Sequence, residues 1–153
     1  MATILSKATM SSSDLTELAA RLRLAITRAA RRLRQEAGVD LSPSQTAALA
    51  TIERHGPMTP SELAVVERIQ RPTATRIIAR LEGARLIERT ADPVDRRSSV
   101  ISATPEGEEL MTRLRKRKNA FLARRLRGLD PGDVATLARA VEILERLLEG
   151  ERR

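Results

Sequence analysis

Two capped helical stretches followed by two short β-prone runs, set between long amphipathic helices, predict a mainly α fold with a small β-hairpin wing. This is the layout of a winged helix-turn-helix flanked by N- and C-terminal helices. The first helix of the pair opens at Thr59-Pro60-Ser61-Glu62. A Thr that accepts from the backbone three residues on, Pro at the first helical position and a Glu reaching back make a capping box, and the helix runs to about Glu67. In the next segment, Gln70 to Glu82, Pro72 stands near the start and Ala74, Ile77, Ile78 and Leu81 form one stripe at three-and-four spacing. Thr73, Arg76 and Arg80 fall on another face. The runs Leu86-Ile87-Glu88-Arg89-Thr90 and Ser98-Ser99-Val100-Ile101-Ser102 then read as strands, joined by a turn-rich loop that ends in Asp95-Arg96-Arg97.

The flanking helices follow from the same rules. Asp14 with Glu17 marks a helix start, and Leu15, Leu18, Leu22, Ile26, Ala29 and Leu33 repeat at three and four residues up to Gly38, a C-terminal cap. Arg21, Arg23, Arg28, Arg31, Arg32 and Arg34 make its other face basic. Ser42-Pro43-Ser44-Gln45 is a second capping box, opening a helix with Ala47, Leu49, Ala50 and Ile52 that stops at His55-Gly56-Pro57. Thr104-Pro105-Glu106-Gly107 starts a helix expected to reach about Arg127 and end at Gly128. Asp130-Pro131 opens the last one, striped by Val134, Leu137, Val141, Leu144, Leu147 and Leu148. The terminal stripes need partners, and a shared interface between two chains is the economical way to cover them. The expected organisation is a disordered segment over residues 1–12, dimerisation helices over 13–40 and 105–150, and a reading head over 41–104.

Composition narrows the function classes. The net charge of +8 suits a polyanion partner. Phe121 is the only aromatic residue, so single-strand binding on stacking platforms is a poor fit, whereas duplex binding needs none. There is no Cys and one His, His55, which removes thiol chemistry and leaves little for a metal centre. No cofactor is expected. No run approaches a membrane span, and a cytoplasmic location is expected. The charge is unevenly spread: Arg68 to Arg97 holds eight Arg against four acids, while Arg113 to Arg127 holds eight bases and no acid. Glu142, Glu145, Glu149 and Glu151 of the last helix are the expected partial neutralisers of that second run.

The runs Glu62-Leu63-Ala64, Arg71-Pro72-Thr73-Ala74-Thr75-Arg76, Leu81-Glu82, Leu86-Ile87-Glu88-Arg89, Asp92-Pro93-Val94-Asp95-Arg96-Arg97 and Thr104-Pro105-Glu106-Gly107 resemble the multiple-antibiotic-resistance regulator (MarR) family over about residues 14 to 148. The wing Asp-Arg-Arg, followed seven residues after the second Arg by Thr and a helix, is the most specific part. Two positions depart from the family habit: Arg85 stands where Gly often precedes the wing, and Ala103 where Leu often precedes the closing Thr. The resemblance implies a homodimer on a pseudo-palindromic operator of double-stranded DNA, repressing transcription until a small anionic or phenolic effector loosens it.

The physical case runs alongside. Arg76 in a major groove can hold guanine N7 and O6, and Thr73 and Thr75 can reach phosphates or a thymine methyl. Arg71 lies where a backbone phosphate would sit at a helix N-terminus, and Arg80 is as readily a solvated residue as a phosphate contact. By resemblance, Arg76 and Arg97 make the main groove contacts and Asp95 braces a neighbouring Arg; Arg96 with Asp95 is equally an ordinary surface ion pair. The family's effector pocket implies Arg21, Arg28, His55, Met111 and Arg115 as loose candidates, although His55 also fits a residue beside a helix C-terminal dipole. Rival readings are an enzyme, for which no Cys or Tyr and one His leave few reactive groups, an architectural protein that binds DNA by charge alone, and a helical protein-interaction module.

Overall fold

The computed structural model describes residues 11–38, 40–92 and 98–149. The chain divides into two compact units, residues 1–39 and 40–153.

The first unit is one helix, α1 (Ser12–Ala37). Its N-cap is Ser11, whose hydroxyl accepts from the Asp14 amide at 3.2 Å while the Asp14 carboxylate accepts from the Ser11 amide at 3.0 Å. Asp14 is therefore the third helical residue rather than the start, because a carboxylate completes a capping box only from that position. Ser11 thus caps α1 and Ser12 is its first residue; the rest of the expected disordered segment, residues 1–10, lies outside the described residues. Gly38 closes the helix in the left-handed region (φ 59°), as its sequence position predicts. Leu15, Leu18, Leu22 and Ile26 are all exposed.

The second unit carries the remaining elements: α2 (Pro43–His55), α3 (Pro60–Val66), α4 (Arg71–Gly83), β1 (Ile87–Ala91), β2 (Ser99–Ala103), α5 (Pro105–Leu126) and α6 (Pro131–Glu149). Capping boxes at Ser42/Gln45 and Thr59/Glu62 open α2 and α3. Ala48, Leu49 and Ile52 of α2, Leu63 and Ala64 of α3, and the whole α4 stripe of Ala74, Ile77, Ile78 and Leu81 are buried together with Ile87, Ile101, Met111 and Leu114. The small inward residue of α2 is Ala48, not Ala47, since only position 48 shares a face with Leu49 and Ile52 at helical spacing. The strands pair antiparallel with Arg89 opposite Ile101, and Ile101 also exchanges two backbone bonds with Met58 (3.1 and 2.8 Å). Each strand starts one residue later than the sequence pattern indicates. Leu86 is diverted because its amide donates to the Leu81 carbonyl to finish α4, and its carbonyl accepts from Thr104.

The two helices of the helix-turn-helix end alike. After α3, Ile69 N–H reaches the Ala64 carbonyl at 2.9 Å and Arg68 N–H the Val65 carbonyl at 3.1 Å; after α4, Leu86 reaches Leu81 at 3.0 Å and Arg85 reaches Glu82 at 2.9 Å. Both are Schellman closures, which need a left-handed residue at the C′ position. That residue is an arginine each time, Arg68 at φ 52° and Arg85 at φ 57°. Glycine adopts this conformation without the steric cost an L side chain bears. Gly107 answers a different demand. A Cβ there would lie 2.1 Å from the Leu86 carbonyl oxygen, so the first turn of α5 can close on the α4–β1 junction only without a side chain.

α5 buries Met111, Leu114 and Phe121, but α6 buries nothing, and Val134, Leu137, Val141, Ile143, Leu147 and Leu148 remain exposed.

Two substitutions separate these constraints in thermal or urea melts. Gly107→Ala is expected to destabilise the chain by about 2 kcal/mol or more, through the backbone clash. Arg85→Gly is expected to stabilise it by up to about 1 kcal/mol, strain relief exceeding the added freedom of the unfolded chain. A neutral Gly107→Ala would refute the close approach.

Candidate nucleic-acid interface

α4 is amphipathic in a way that exposes chemistry rather than carbon. Its buried stripe fixes rotation about the helix axis, so Arg71, Thr75, Arg76 and Arg80 are exposed and Thr73 half-buried. The Thr75 hydroxyl donates to the Arg71 carbonyl at 3.0 Å, which leaves its oxygen lone pairs outward. Thr73, Arg76 and Arg80 line a groove of about 260 Å³ whose other wall is Ser42, Ser44 and Gln45 at the start of α2. A wider apolar groove of about 540 Å³ lies beside α3 and the turn after it, bounded by Ser61, Val65, Ile69 and Arg71. The structure therefore places Arg71, Thr73, Thr75, Arg76 and Arg80 on one helix, outside its buried stripe.

The hairpin is fastened to that helix by one guanidinium. Arg89 of β1 donates from Nε to Glu82 Oε1 at 2.9 Å and from Nη2 to Oε2 at 3.4 Å, and its Nη1 donates to Ser99 Oγ of β2 at 3.0 Å. The last turn of α4 and both strands thus share a single planar donor, a geometry a lysine could not reproduce. At the outer end of the strands Ser98 Oγ donates to Asp92 Oδ2 at 3.0 Å and the Asp92 amide to the Ser98 carbonyl at 3.1 Å. Asp95, Arg96 and Arg97 lie outside the described residues. Sequence reasoning missed this clamp; the signal available was an acid in the last turn of a helix and an Arg seven residues on, at an exposed strand position.

The residues proposed by resemblance for an effector divide between the units. Arg21 and Arg28 are exposed on α1. In the second unit His55 is exposed at the last turn of α2, Met111 is buried, and Arg115 is committed to Glu53. The two guanidinium bonds from Arg115 to Glu53 measure 2.7 and 2.8 Å, and Arg115 Nη2 also donates to Thr112 Oγ1 at 3.2 Å. Hydrogen bonding to Arg115, aided by its charge and opposed by burial, holds the Glu53 carboxyl below its ordinary value, and raises Arg115 in turn. Glu67 accepts a short hydrogen bond from Thr51, tying the end of α3 to α2.

Two bases of the α5 run are paired with acids from outside α6. Arg113 finds Glu109 on its own helix at 2.7 Å and Arg115 finds Glu53. Lys116, Arg124 and Arg127 form no ion pair among the described residues. Glu151 lies outside the described residues. Among the described residues no group of His, Cys, Asp and Glu could hold a metal, and no helix is long and apolar enough to cross a membrane.

The Glu53–Arg115 pair makes a pH-dependent contribution with a definite sign. A carboxyl depressed in the folded state adds stability that is present above its unfolded value, near 4.5, and is lost as pH falls through the lower folded value. Wild type is expected to exceed Glu53→Gln by a constant margin above about pH 5.5, a margin that shrinks below about pH 4.5. Melts at several pH values check this, and a margin that grows on acidification would refute it. Arg115 is half exposed, which keeps the effect small.

Comparison with known proteins agrees with the geometry. The MarR family model matches residues 41–99, the stretch from just before α2 to the start of β2. An HTH-type transcriptional regulator of Mycobacterium tuberculosis is 35% identical over 133 residues, 86% of this chain and 93% of that protein. The HTH-type transcriptional repressor MdtR of Bacillus subtilis is 34% identical, over 69% of this chain and 73% of its own. A crystal structure of a candidate transcriptional regulator from Pseudomonas aeruginosa superposes with a TM-score of 0.81 at 36% identity, covering 91% of this chain and 99% of that one. With the same winged helix-turn-helix and this breadth of similarity, the chain belongs to the MarR family of transcriptional regulators.

Proposed function

We propose that the chain acts as a homodimer that recognises a pseudo-palindromic operator, represses transcription there, and is released by a small anionic or phenolic effector. The observation that carries this reading is the α4 face: Thr73, Arg76 and Arg80 lie off a stripe of four buried residues, Ala74, Ile77, Ile78 and Leu81, so the helix cannot rotate them inward. A recognition helix so held offers Arg76 as a bidentate donor to guanine N7 and O6, with Thr73 and Thr75 toward phosphates or a thymine methyl. Arg71 and Arg80 take backbone phosphates. On this reading Arg97 enters the minor groove, Asp95 braces Arg96 at the wing, and the Arg89 clamp sets where the wing starts.

A dimer is favoured by the uncovered apolar residues of α1 and α6, which a second copy can bury and a monomer leaves in water. Two copies related by a two-fold axis present their helices to half-sites about one turn, roughly 10 base pairs, apart. Repression is the direction carried over from MdtR, which is named a repressor. Effector release draws on Arg21, Arg28, His55, Met111 and Arg115, the last of which also holds Glu53. The second reading, a protein that binds DNA by charge without sequence choice, is kept because α5 holds the densest basic run.

The test uses fluorescence anisotropy on the chain's own upstream DNA against a random duplex of equal length at physiological salt. A preference of about a thousandfold is expected. Arg76→Ala should weaken upstream binding by about 5- to 150-fold for each half-site, from about 1 to 3 kcal/mol per bidentate contact, with little effect on the random duplex. Salicylate should lower the upstream affinity. Equal affinity for both duplexes would overturn sequence recognition and promote the charge-only reading.

A further inference from the structure

Between Arg113 and Arg127 the chain has eight bases and no acid, so its other 138 residues hold 20 bases and 20 acids. The entire net charge of +8 therefore sits on one stretch of α5. Residues 41–104, the proposed reading head, hold nine bases and seven acids. The attraction that brings a protein to DNA regardless of sequence scales with such charge, and here it is not where the bases would be read.

The stretch is ordered and directional. Arg113, Lys116, Arg117, Arg124 and Arg127 recur at three- and four-residue steps or their sum, so they share one side of α5, and all are exposed. Met111, Leu114 and Phe121 occupy the buried side. Leu122 and Leu126, 40% and 39% exposed, lie on a third side, so a partner that covers them leaves the cations in water. From Arg113 to Arg127 the row is about 21 Å long, and that length of duplex presents about 12 phosphate charges. The side chains of Lys116, Arg124 and Arg127 have no hydrogen bond or ion pair among the described residues, so no described acid has to be displaced to reach them.

The row is also remote from the α4 groove. Arg115 anchors α5 to Glu53 near the C-terminal end of α2, whereas Arg76 and Arg80 border Ser42 and Ser44 at its N-terminal end. From Ser44 to Glu53 the intervening helix rises about 14 Å, more than the Debye length of about 8 Å at physiological salt. The two basic regions therefore lie toward opposite ends of α2.

We propose that the cationic row of α5, Arg113 to Arg127, is a second DNA-binding surface that takes the phosphate backbone of duplex outside the stretch held by α4. It rests on the DNA-binding function proposed above. The duplex can be the flank of the same molecule or a second one, and the chemistry is the same.

The test compares wild type with Lys116→Gln/Arg124→Gln/Arg127→Gln and with the charge-keeping Lys116→Arg/Arg124→Lys/Arg127→Lys, melts confirming that all three fold. Random 20- and 60-base-pair duplexes and the chain's upstream DNA are titrated from 50 to 300 mM salt. The neutralised variant should lower the slope of log K against log salt by about 2 to 3 per engaged protomer, with the preference for upstream over random DNA retained and the charge-keeping variant matching wild type. A loss confined to the 60-base-pair duplex assigns the row to flanking DNA. Loss of the ability to hold a free labelled duplex on a bead-bound one assigns it to a second duplex. Unchanged slopes and capture, with upstream preference intact, overturn the α5 surface alone. Failure of wild type to bind any duplex overturns it together with the DNA-binding reading, and a variant that fails to fold leaves the charge-keeping one, whose departure from wild type would equally refute a purely electrostatic surface.

Discussion

The approach of α5 to the end of α4 is the constraint on which the arrangement depends. Leu86 finishes one element and starts the next: its amide closes α4 on Leu81, and its carbonyl accepts from Thr104. Gly107 lies against that carbonyl so closely that any Cβ would collide with it. Thr104 adds a second tie, its hydroxyl donating to the Arg85 carbonyl at 2.7 Å and accepting from the Gly107 amide at 3.1 Å. The exit of α4, the root of the wing and the start of the long helix are thereby one joint, and the exposed face of α4 inherits its orientation from it.

The joint is held by backbone, and the wing beyond it by charge. Arg89 spreads its guanidinium over Glu82 and Ser99, side chains that come from different elements, and both partners of its ion pair keep substantial contact with water. Such a pair adds little to global stability. Its effect is angular: a planar fork with fixed donor directions restricts the hairpin relative to the helix more tightly than apolar contact at an exposed strand would. The arginines at the two left-handed closures, Arg68 and Arg85, show the opposite balance, a local steric cost carried by the backbone where glycine would be relaxed.

Much of this was legible in the residues. Capping boxes, Pro at first positions and the three-and-four stripe of α4 located every helix, because local hydrogen bonding and one-sided burial are written at fixed spacings. The register of α2 was off by one at Ala48, since a run of small residues leaves the inward side undetermined until Ile52 and Leu49 meet the core. The absent glycine before the wing was visible at Arg85, but its left-handed conformation depends on the closure to Leu81, which is tertiary. The Arg89 clamp and the Glu53–Arg115 pair join residues on different elements, and charged side chains at exposed positions give no periodic signal. Arg115 shows the consequence. Its guanidinium already holds the Glu53 carboxylate, a pairing that no sequence spacing indicates.

The exposed face of α4 is tested most directly by N7-methylation interference on the chain's own upstream DNA, which reports guanines contacted in the major groove. Two short patches of interfering guanines are expected, about 10 base pairs apart and related by two-fold symmetry, with the Arg76-dependent guanine the strongest in each. Interference spread evenly along the duplex, or none at any guanine, would contradict a recognition helix held in the major groove.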